Sequence, residues 1–150
     1  MRKHAWEVTF DQAFDHVIQY CSELREESGT WITDEIIDAY KSLHQQGVAH
    51  SVEVWSEDGE LIGGLYGLAM GKLFFGESMF SLAPNASKVA FISLAKQLRS
   101  WGYPLIDCQV HNPHLESLGA VSISRDQFLH YINNYIEVKP EHEWRFTLGD

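Results

Sequence analysis

The sequence predicts an α/β (α+β) protein in which helices flank one central sheet that is mixed but mostly antiparallel. Three features predict it: two N-terminal segments with apolar residues at helical spacing, three consecutive strand-like segments joined by tight turns, and a later alternation of helices and strands. The predicted order is α-α-β-β-β-α-β-α-β-α, so that an antiparallel meander precedes a β-α-β crossover. The length of 150 residues suits a single domain.

Two helices are predicted in the N-terminal part of the chain. Apolar residues recur at helical spacing over 10–25, with Thr9 as the expected N-cap and Asp11 in the first turn. The second helix is expected to begin after Thr33, its N-cap, and to end at Gly47, since glycine suits the left-handed C′ position. Both helices would pack one apolar stripe on the sheet.

The meander is predicted from alternation and turn residues. Residues 48–55 alternate between apolar and polar, and the Asp-Gly pair at 58–59 is a strong hairpin signal. Residues 61–70 return as the partner strand, and 72–81 form the third strand.

The remaining predicted elements complete the crossover. They are, in order, a helix capped by Asn85 and ended by Gly102, a strand at 104–110, a short helix ending at Gly119, a strand at 121–123 and a helix from the Ser124 capping box to about Tyr135. We expect residues 1–136 to form the domain and 137–150 to form a charged, loosely attached tail. This order of elements resembles the N-acetyltransferase superfamily fold.

Charge and composition exclude some functions. The net charge of −10 disfavours a broad phosphate-binding face, so any contact with nucleic acid is expected to be local or supplied by something outside this chain. No apolar run approaches the ~18 residues of a membrane span, and no signal-peptide segment follows the start. Two cysteines are too few for a disulfide framework, and a cytoplasmic location is expected.

The third strand carries the first candidate functional residue. Glu77 lies in a run of large apolar residues, where an ionised carboxylate is costly unless it has partners. Gly76 suits a bulge that redirects the next side chain. Glu77 either reaches the solvent at the rim of the sheet or stands at the mouth of an apolar pocket, where it would receive an amine.

Asp107 and Gln109 are the second candidate pair. Residues two apart on a strand share a face, whereas Cys108 points to the other face. If the Asp107 carboxylate accepts a hydrogen bond from the Gln109 side-chain NH2, the Gln109 side-chain oxygen is left pointing at a hydrogen-bond donor. The alternative is that both side chains only bond loops at a strand end.

A metal site is not expected. Cys108, His111 and His114 have a ligand-like spacing, but Pro113 interrupts the run and no fourth ligand stands nearby in sequence. The other histidines are interpreted as surface or capping residues.

Several blocks in order resemble the leucyl/phenylalanyl-tRNA–protein transferase family. They are GTWIT at 29–33, HSVEVW at 50–55, GGLYG at 63–67, GESMFS at 76–81, NASK at 85–88, DCQ at 107–109, His114 and SLGA at 117–120. The resemblance implies an acetyltransferase-like fold that moves Leu or Phe from aminoacyl-tRNA onto proteins beginning with Arg or Lys, marking them for degradation. It also implies that aminoacyl-tRNA is the co-substrate and that no cofactor is used.

The resemblance assigns roles to individual residues. Gln109, oriented by Asp107, would assist the attacking α-amine, Glu77 would hold the reacting amino group, and Trp31 would contact the 3′ adenosine. The residues implied to bind the acyl substrate are Leu65, Phe74, Phe91, Leu94 and Ser78. For Phe91 and Leu94, plain packing of the third helix is an alternative of at least equal weight, and Trp31 alternatively packs on the core. The expected mechanism is direct aminolysis of the ester, in which positioning supplies most of the acceleration.

One departure and two rival functions leave alternatives open. Family members carry a basic N-terminal domain ahead of the matched region, so this sequence is expected to be the C-terminal catalytic part. A separately encoded short relative or a relative with a changed donor is the first alternative. An acetyl-CoA-dependent acetyltransferase would share the fold, but residues 81–85 lack the glycines of a pyrophosphate loop. A non-catalytic module that binds basic protein N-termini is the third alternative.

Overall fold

A computed structural model describes residues 6–25, 33–107, 124–138 and 142–147. Five strands form one sheet in the order β1-β2-β3-β4-β5. The strands are β1 (Glu7–Phe10), β2 (Ala49–Trp55), β3 (Leu61–Met70), β4 (Leu73–Ser81) and β5 (Leu105–Asp107). The helices are α1 (Phe14–Arg25), α2 (Asp34–Gln45), α3 (Ala86–Ser100) and α4 (Arg125–Tyr135).

The sheet is mixed but mostly antiparallel, as predicted. The strands β1 to β4 pair antiparallel in succession, and β5 then pairs in parallel with β4. The hairpin at Gly59 and the turn at Gly71 both take positive φ, +81° and +61°, a region that glycine enters without steric cost. Turn chemistry therefore predicted the meander correctly.

Helices cover both faces of the sheet and create two cores. On one face α1 and α2 pack on the sheet through Phe14, Val17, Ile18, Cys21, Ile37, Ala49, Tyr66 and Phe80. On the other face α3 packs through Phe10, Val52, Val54, Leu65, Phe74, Ala90, Leu94, Leu98 and Tyr103. We call these the α1–α2 face and the α3 face.

Three of the predicted helix boundaries are confirmed. Thr33 is the N-cap of α2, where its side chain accepts from the Ile36 amide, and Ser124 forms a complete capping box with Gln127 at α4. Gly102, at φ +84°, follows the end of α3. Asn85 stands at the N-cap position of α3, but its side chain makes no capping bond.

The prediction of a helix from residue 10, with Thr9 as its N-cap, was wrong. Residues 7–10 form strand β1, and α1 starts only at Phe14. The Thr9 hydroxyl does not cap a helix: it donates to Glu53 Oε1 at 2.6 Å and accepts from Trp55 Nε1 at 2.8 Å, both on β2. These partners lie more than forty residues away, and local sequence does not show them.

Glu53, fully buried on β2, accepts a hydrogen bond near the start of α1, where Thr9 was expected to act as the N-cap. Its Oε1 accepts from the Gln12 amide at 3.1 Å, and its other oxygen accepts from the Ser51 hydroxyl. A carboxylate at this position satisfies an amide at the start of α1 and faces the positive end of the helix dipole. It thereby ties β2 to α1.

Glu53→Gln is expected to change how stability depends on pH. Burial raises the pKa of Glu53 above its ordinary value, although hydrogen bonds from Ser51 and Thr9 oppose the rise. The folded state therefore holds this proton more tightly than the unfolded state. As pH rises from the unfolded pKa through the folded pKa, the natural protein should lose stability relative to the glutamine variant, by at most about 1.4 kcal/mol per pH unit.

Urea unfolding of both proteins between about pH 4 and about pH 8 measures this difference. A constant difference in the free energy of unfolding across that range would contradict it.

His50 was expected at the surface or as a cap, and this prediction was wrong. The ring is 5% exposed, with Nδ1 2.7 Å from Asp11 Oδ2 and Nε2 3.0 Å from the Gly47 carbonyl. Both partners are acceptors, so each ring nitrogen lies beside an oxygen that can accept from it. Asp11, at φ +58°, also accepts from the Ser51 amide at 2.9 Å.

The tail is not loosely attached over 142–147. Phe146 contacts Phe10 with ring centroids 5.4 Å apart, and the Thr147 amide donates to Gln97 Oε1 at 2.7 Å. Trp144 and Phe146 pack on the α3-face core. The domain boundary at residue 136 stays a prediction.

Three predicted features lie outside the described residues: the C-terminal part of the strand at 104–110, the short helix ending at Gly119 and the strand at 121–123. None of the helices in the described ranges combines the length and the apolarity that crossing a membrane requires.

Candidate active site

Glu77 stands in a bulge of β4. Tyr66 pairs with Ser78 and Gly67 pairs with Gly76, so that Glu77 is the extra residue opposite β3. A bulge removes a residue from the ladder and redirects its side chain. The position of the bulge directly after Gly76 confirms the prediction made from the glycine.

Tyr40 of α2 holds the Glu77 carboxylate. Its hydroxyl donates to Glu77 Oε1 at 2.8 Å, and its ring packs edge-on against Tyr66 at 5.3 Å. Burial, and then the hydrogen bond and charge of Glu77, raise the pKa of Tyr40 well above its ordinary value. The hydroxyl therefore stays protonated at neutral pH and keeps donating.

Sequence reasoning missed Tyr40. Helical spacing places Tyr40 with Ile36, Ile37 and Leu43 in the apolar stripe of α2, to which its ring does belong. The partner lies 37 residues away, and no local pattern reports the bond. Helical spacing correctly placed Tyr40 on the apolar face of α2, but it could not show that the Tyr40 hydroxyl contacts Glu77.

Ser78 lies on the same face as Tyr66, its cross-strand partner. Its side chain is 8% exposed, and its Oγ has no hydrogen-bond partner among the described residues. Buried hydroxyls usually have a partner, so this oxygen is a candidate contact for a bound polar group.

The structure brings Asp107 to the strand next to Glu77. In the parallel register Phe75 of β4 pairs with Asp107 of β5, two residues before the bulge. The backbone of Asp107 is described, but its side chain is not, and Gln109 and Trp31 lie outside the described residues. Their predicted roles stay predictions.

The four apolar candidates lie together on the α3 face. Leu65, Phe74 and Leu94 belong to one buried cluster, and Phe91 packs on it from α3. Glu77 lies on the opposite side of the sheet, where Tyr40 contacts it. The sheet thus separates the carboxylate from the apolar set, an arrangement that the expectation of one shared pocket did not anticipate.

No cluster of three or more metal-binding side chains occurs among the described residues. The Cys108, His111 and His114 run lies outside them.

The chain has the fold of the N-acetyltransferases. The structure superposes on a putative acetyl transferase from Pyrococcus furiosus with a TM-score of 0.60 and 13% identity, covering 79% of this chain and 95% of that one. It superposes on a ribosomal-protein-alanine N-acetyltransferase from Brucella melitensis with a TM-score of 0.56 and 12% identity, covering 81% of this chain and 94% of that one. Identity this low supports the fold and no more.

Sequence comparison gives the family. The profile of the family described as leucyl/phenylalanyl-tRNA protein transferase matches residues 1–133. The chain belongs to this family, which confirms the resemblance seen in the sequence blocks.

Curated relatives match at high identity. A leucyl/phenylalanyl-tRNA–protein transferase from Hahella chejuensis is 54% identical over 149 residues, which is 99% of this chain and 63% of the relative. A protein of the same name from Pseudomonas fluorescens (strain Pf0-1) is 58% identical over 143 residues, 95% of this chain and 62% of the relative. The chain thus spans just under two thirds of the length of these relatives.

Proposed function

We propose that this chain is the aminoacyl-transferring part of a leucyl/phenylalanyl-tRNA–protein transferase. In this proposal it moves Leu or Phe from the 3′ end of aminoacyl-tRNA to a protein whose N-terminal residue is Arg or Lys, which marks that protein for degradation. The observation that carries the proposal is the Glu77 carboxylate, held by Tyr40 at a bulge beside β5, in a chain of this family.

The chemistry we propose is direct aminolysis. The neutral α-amine of the acceptor attacks the ester carbonyl, which forms the C–N bond and a tetrahedral intermediate. The bond to the tRNA 3′ oxygen then breaks, and that oxygen leaves as a hydroxyl with the proton that the amine gives up. An ester is already activated and a neutral fraction of an α-amino group exists at pH 7, so positioning can supply much of the acceleration. No cofactor is needed, because the aminoacyl-tRNA itself brings the acyl group.

Glu77 fits the role of holding an amino group. A carboxylate on the edge of an apolar core binds an ammonium or amine more strongly than it would in water. The Tyr40 hydroxyl fixes the carboxylate at one oxygen, which limits the rotamers that it can take. Gln109 and Asp107 would act on the attacking amine from β5 and the residues that follow it.

The apolar set on the α3 face fits the acyl side chain. Leu65, Phe74 and Leu94 are each at most 3% exposed, so a Leu or Phe side chain admitted among them would lose contact with water. Glu77 lies on the other face, so the reacting amine that it would hold approaches the ester from the α1–α2 face, beyond Phe75, the last residue of β4 that pairs with β5 in the described ranges.

The net charge also fits the proposed acceptor. With a net charge of −10, the chain attracts a protein N-terminus that begins with Arg or Lys. The same charge gives the chain little general affinity for a tRNA body. Recognition of the donor would depend on its 3′ end, and the reaction would take place in the cytoplasm, where charged tRNA is found.

Transfer of labelled Phe from phenylalanyl-tRNA to an Arg-led peptide tests the proposal. We expect a stable amide product with the Arg-led and Lys-led peptides and none with an acetylated N-terminus, because the attacking amine is then blocked. Phenylalanyl-adenosine at high concentration is a second donor that does not depend on the tRNA body.

Product from acetyl-CoA but from neither aminoacyl donor would overturn the proposal in favour of an acetyltransferase. Binding of the Arg-led peptide without any product would favour a non-catalytic module.

A further inference from the structure

The segment 142–147 covers one side of the apolar set that we assign to the acyl side chain. Trp144 contacts Phe74 with ring centroids 5.8 Å apart and also lies 6.0 Å from Phe10. The segment is anchored at both ends: the Tyr103 hydroxyl and His142 Nε2 lie 2.9 Å apart, and the Thr147 amide donates to α3.

Phe74 is confined between two surfaces. A Cβ at Gly67 would come within 2.7 and 2.8 Å of two atoms of the Phe74 ring, so the ring rests against the backbone of β3. Trp144 contacts the same ring. A phenyl ring restrained in this way cannot swing aside to enlarge a space beside it without moving Trp144.

Trp144 itself is held in place. Its ring stacks on His50 at 4.0 Å with an interplanar angle of 12°, and it meets Trp101 edge-on at 5.2 Å. The His50 ring is in turn fixed by Asp11 and the Gly47 carbonyl. Trp144 is therefore in contact with β2, through His50, and with the ring of Phe74 on β4.

We propose that Trp144 is a specificity-determining residue, which sets the depth available to the acyl side chain by holding Phe74 against β3. It acts through Phe74 and is a positioning residue. The inference rests on the proposed function, because it concerns the acyl side chain of that reaction. No feature of the local sequence marks Trp144, which stands in a stretch expected to be a loose tail.

The test compares Trp144→Leu with Phe146→Leu in the full chain. Both substitutions remove an aromatic ring of the same segment, and both rings contact Phe10. Of these two rings, Trp144 is the one that contacts the Phe74 ring in the part of the chain that the structure describes. Phe146→Leu thus controls for loss of packing in the segment.

The measured quantity is the ratio of kcat/KM for a para-substituted phenylalanyl donor to that for a leucyl donor. In Trp144→Leu this ratio is expected to rise about tenfold, because Phe74 can retreat into the vacated space and admit a longer side chain. In Phe146→Leu it is expected to stay within about twofold of the natural ratio. Circular dichroism and thermal unfolding establish that both variants are folded.

Equal ratios in the two variants would overturn the inference and leave the proposed function intact. Absence of Leu and Phe transfer by the unaltered protein would instead overturn the proposed function, and the inference with it. Should Trp144→Leu not fold, Trp144→Phe gives a smaller change of the same kind, with a predicted rise of about threefold.

Discussion

Transfer by Glu77→Gln is expected to be about 10- to 100-fold slower than by the natural protein, measured as kcat/KM with an Arg-led peptide. Glutamine keeps the shape of the side chain but removes the charge that would hold an amino group, and a hydrogen bond to a charged group contributes about 1.5–3 kcal/mol. Tyr40→Phe should lower the same constant less, by about tenfold or below, because it frees the carboxylate to rotate without removing its charge.

Tyr20→Phe is the matched control. Tyr20 lies on the α1–α2 face like Tyr40, but its ring stacks on Phe80 at 4.9 Å and has no recorded contact with the carboxylate within the described ranges. The natural rate should be retained in this variant. Transfer at the natural rate by folded Glu77→Gln would remove Glu77 from the reaction.

Gly71→Ala is expected to cost about 3 kcal/mol or more in the free energy of unfolding. Gly71 has φ +61°, where an alanine is strained by about 1–2 kcal/mol. A Cβ there would also come within 2.1 Å of the Tyr135 carbonyl oxygen and 2.3 Å of the Ile136 carbonyl oxygen. Relief of that overlap requires α4 to move from the turn that precedes β4, and overpacking of this kind costs about 1–3 kcal/mol.

Gly59→Ala separates the two causes. Gly59 has φ +81°, but a Cβ added there would meet nothing within 4 Å, so only the backbone strain of about 1–2 kcal/mol applies. Denaturant unfolding of the two variants measures the difference. Equal losses of stability would mean that the close approach of α4 to Gly71 contributes nothing.

Local signals predicted most of the fold. The spacing of apolar residues and the turn residues gave α2, β2, β3, β4 and α3, because helix and strand periodicity is written in neighbouring residues. The residues themselves singled out Glu77, from its place in an apolar run after Gly76. The family resemblance added a role for Glu77, which stays a prediction.

Other features depend on distant partners and could not be predicted from local sequence. Thr9 is a reasonable helix cap by type, yet its hydroxyl serves Glu53 across the sheet. Tyr40 fits an apolar stripe, yet its hydroxyl meets Glu77. The cap expected of Thr9 is therefore absent, whereas Tyr40 keeps its predicted face and adds a contact that its neighbours in sequence do not show.

The tail was misjudged for a similar reason. Its charged residues suggest a solvated segment, whereas Trp144 and Phe146 supply the contact with the core. Two aromatic residues outweigh the surrounding charges because each buries a large apolar area.

The meeting of Phe10 with Trp144 and Phe146 joins the first described strand to the last described segment. Contacts between residues so far apart in sequence form late in folding, because the entropic cost of closing a large loop must be met before the contacts stabilise the chain. Until residues 144–146 leave the ribosome, Phe10 would therefore be covered by Trp101 and the α3-face core but would lack the cover of these two rings. Truncation at residue 136 would make that loss of cover permanent and favour aggregation.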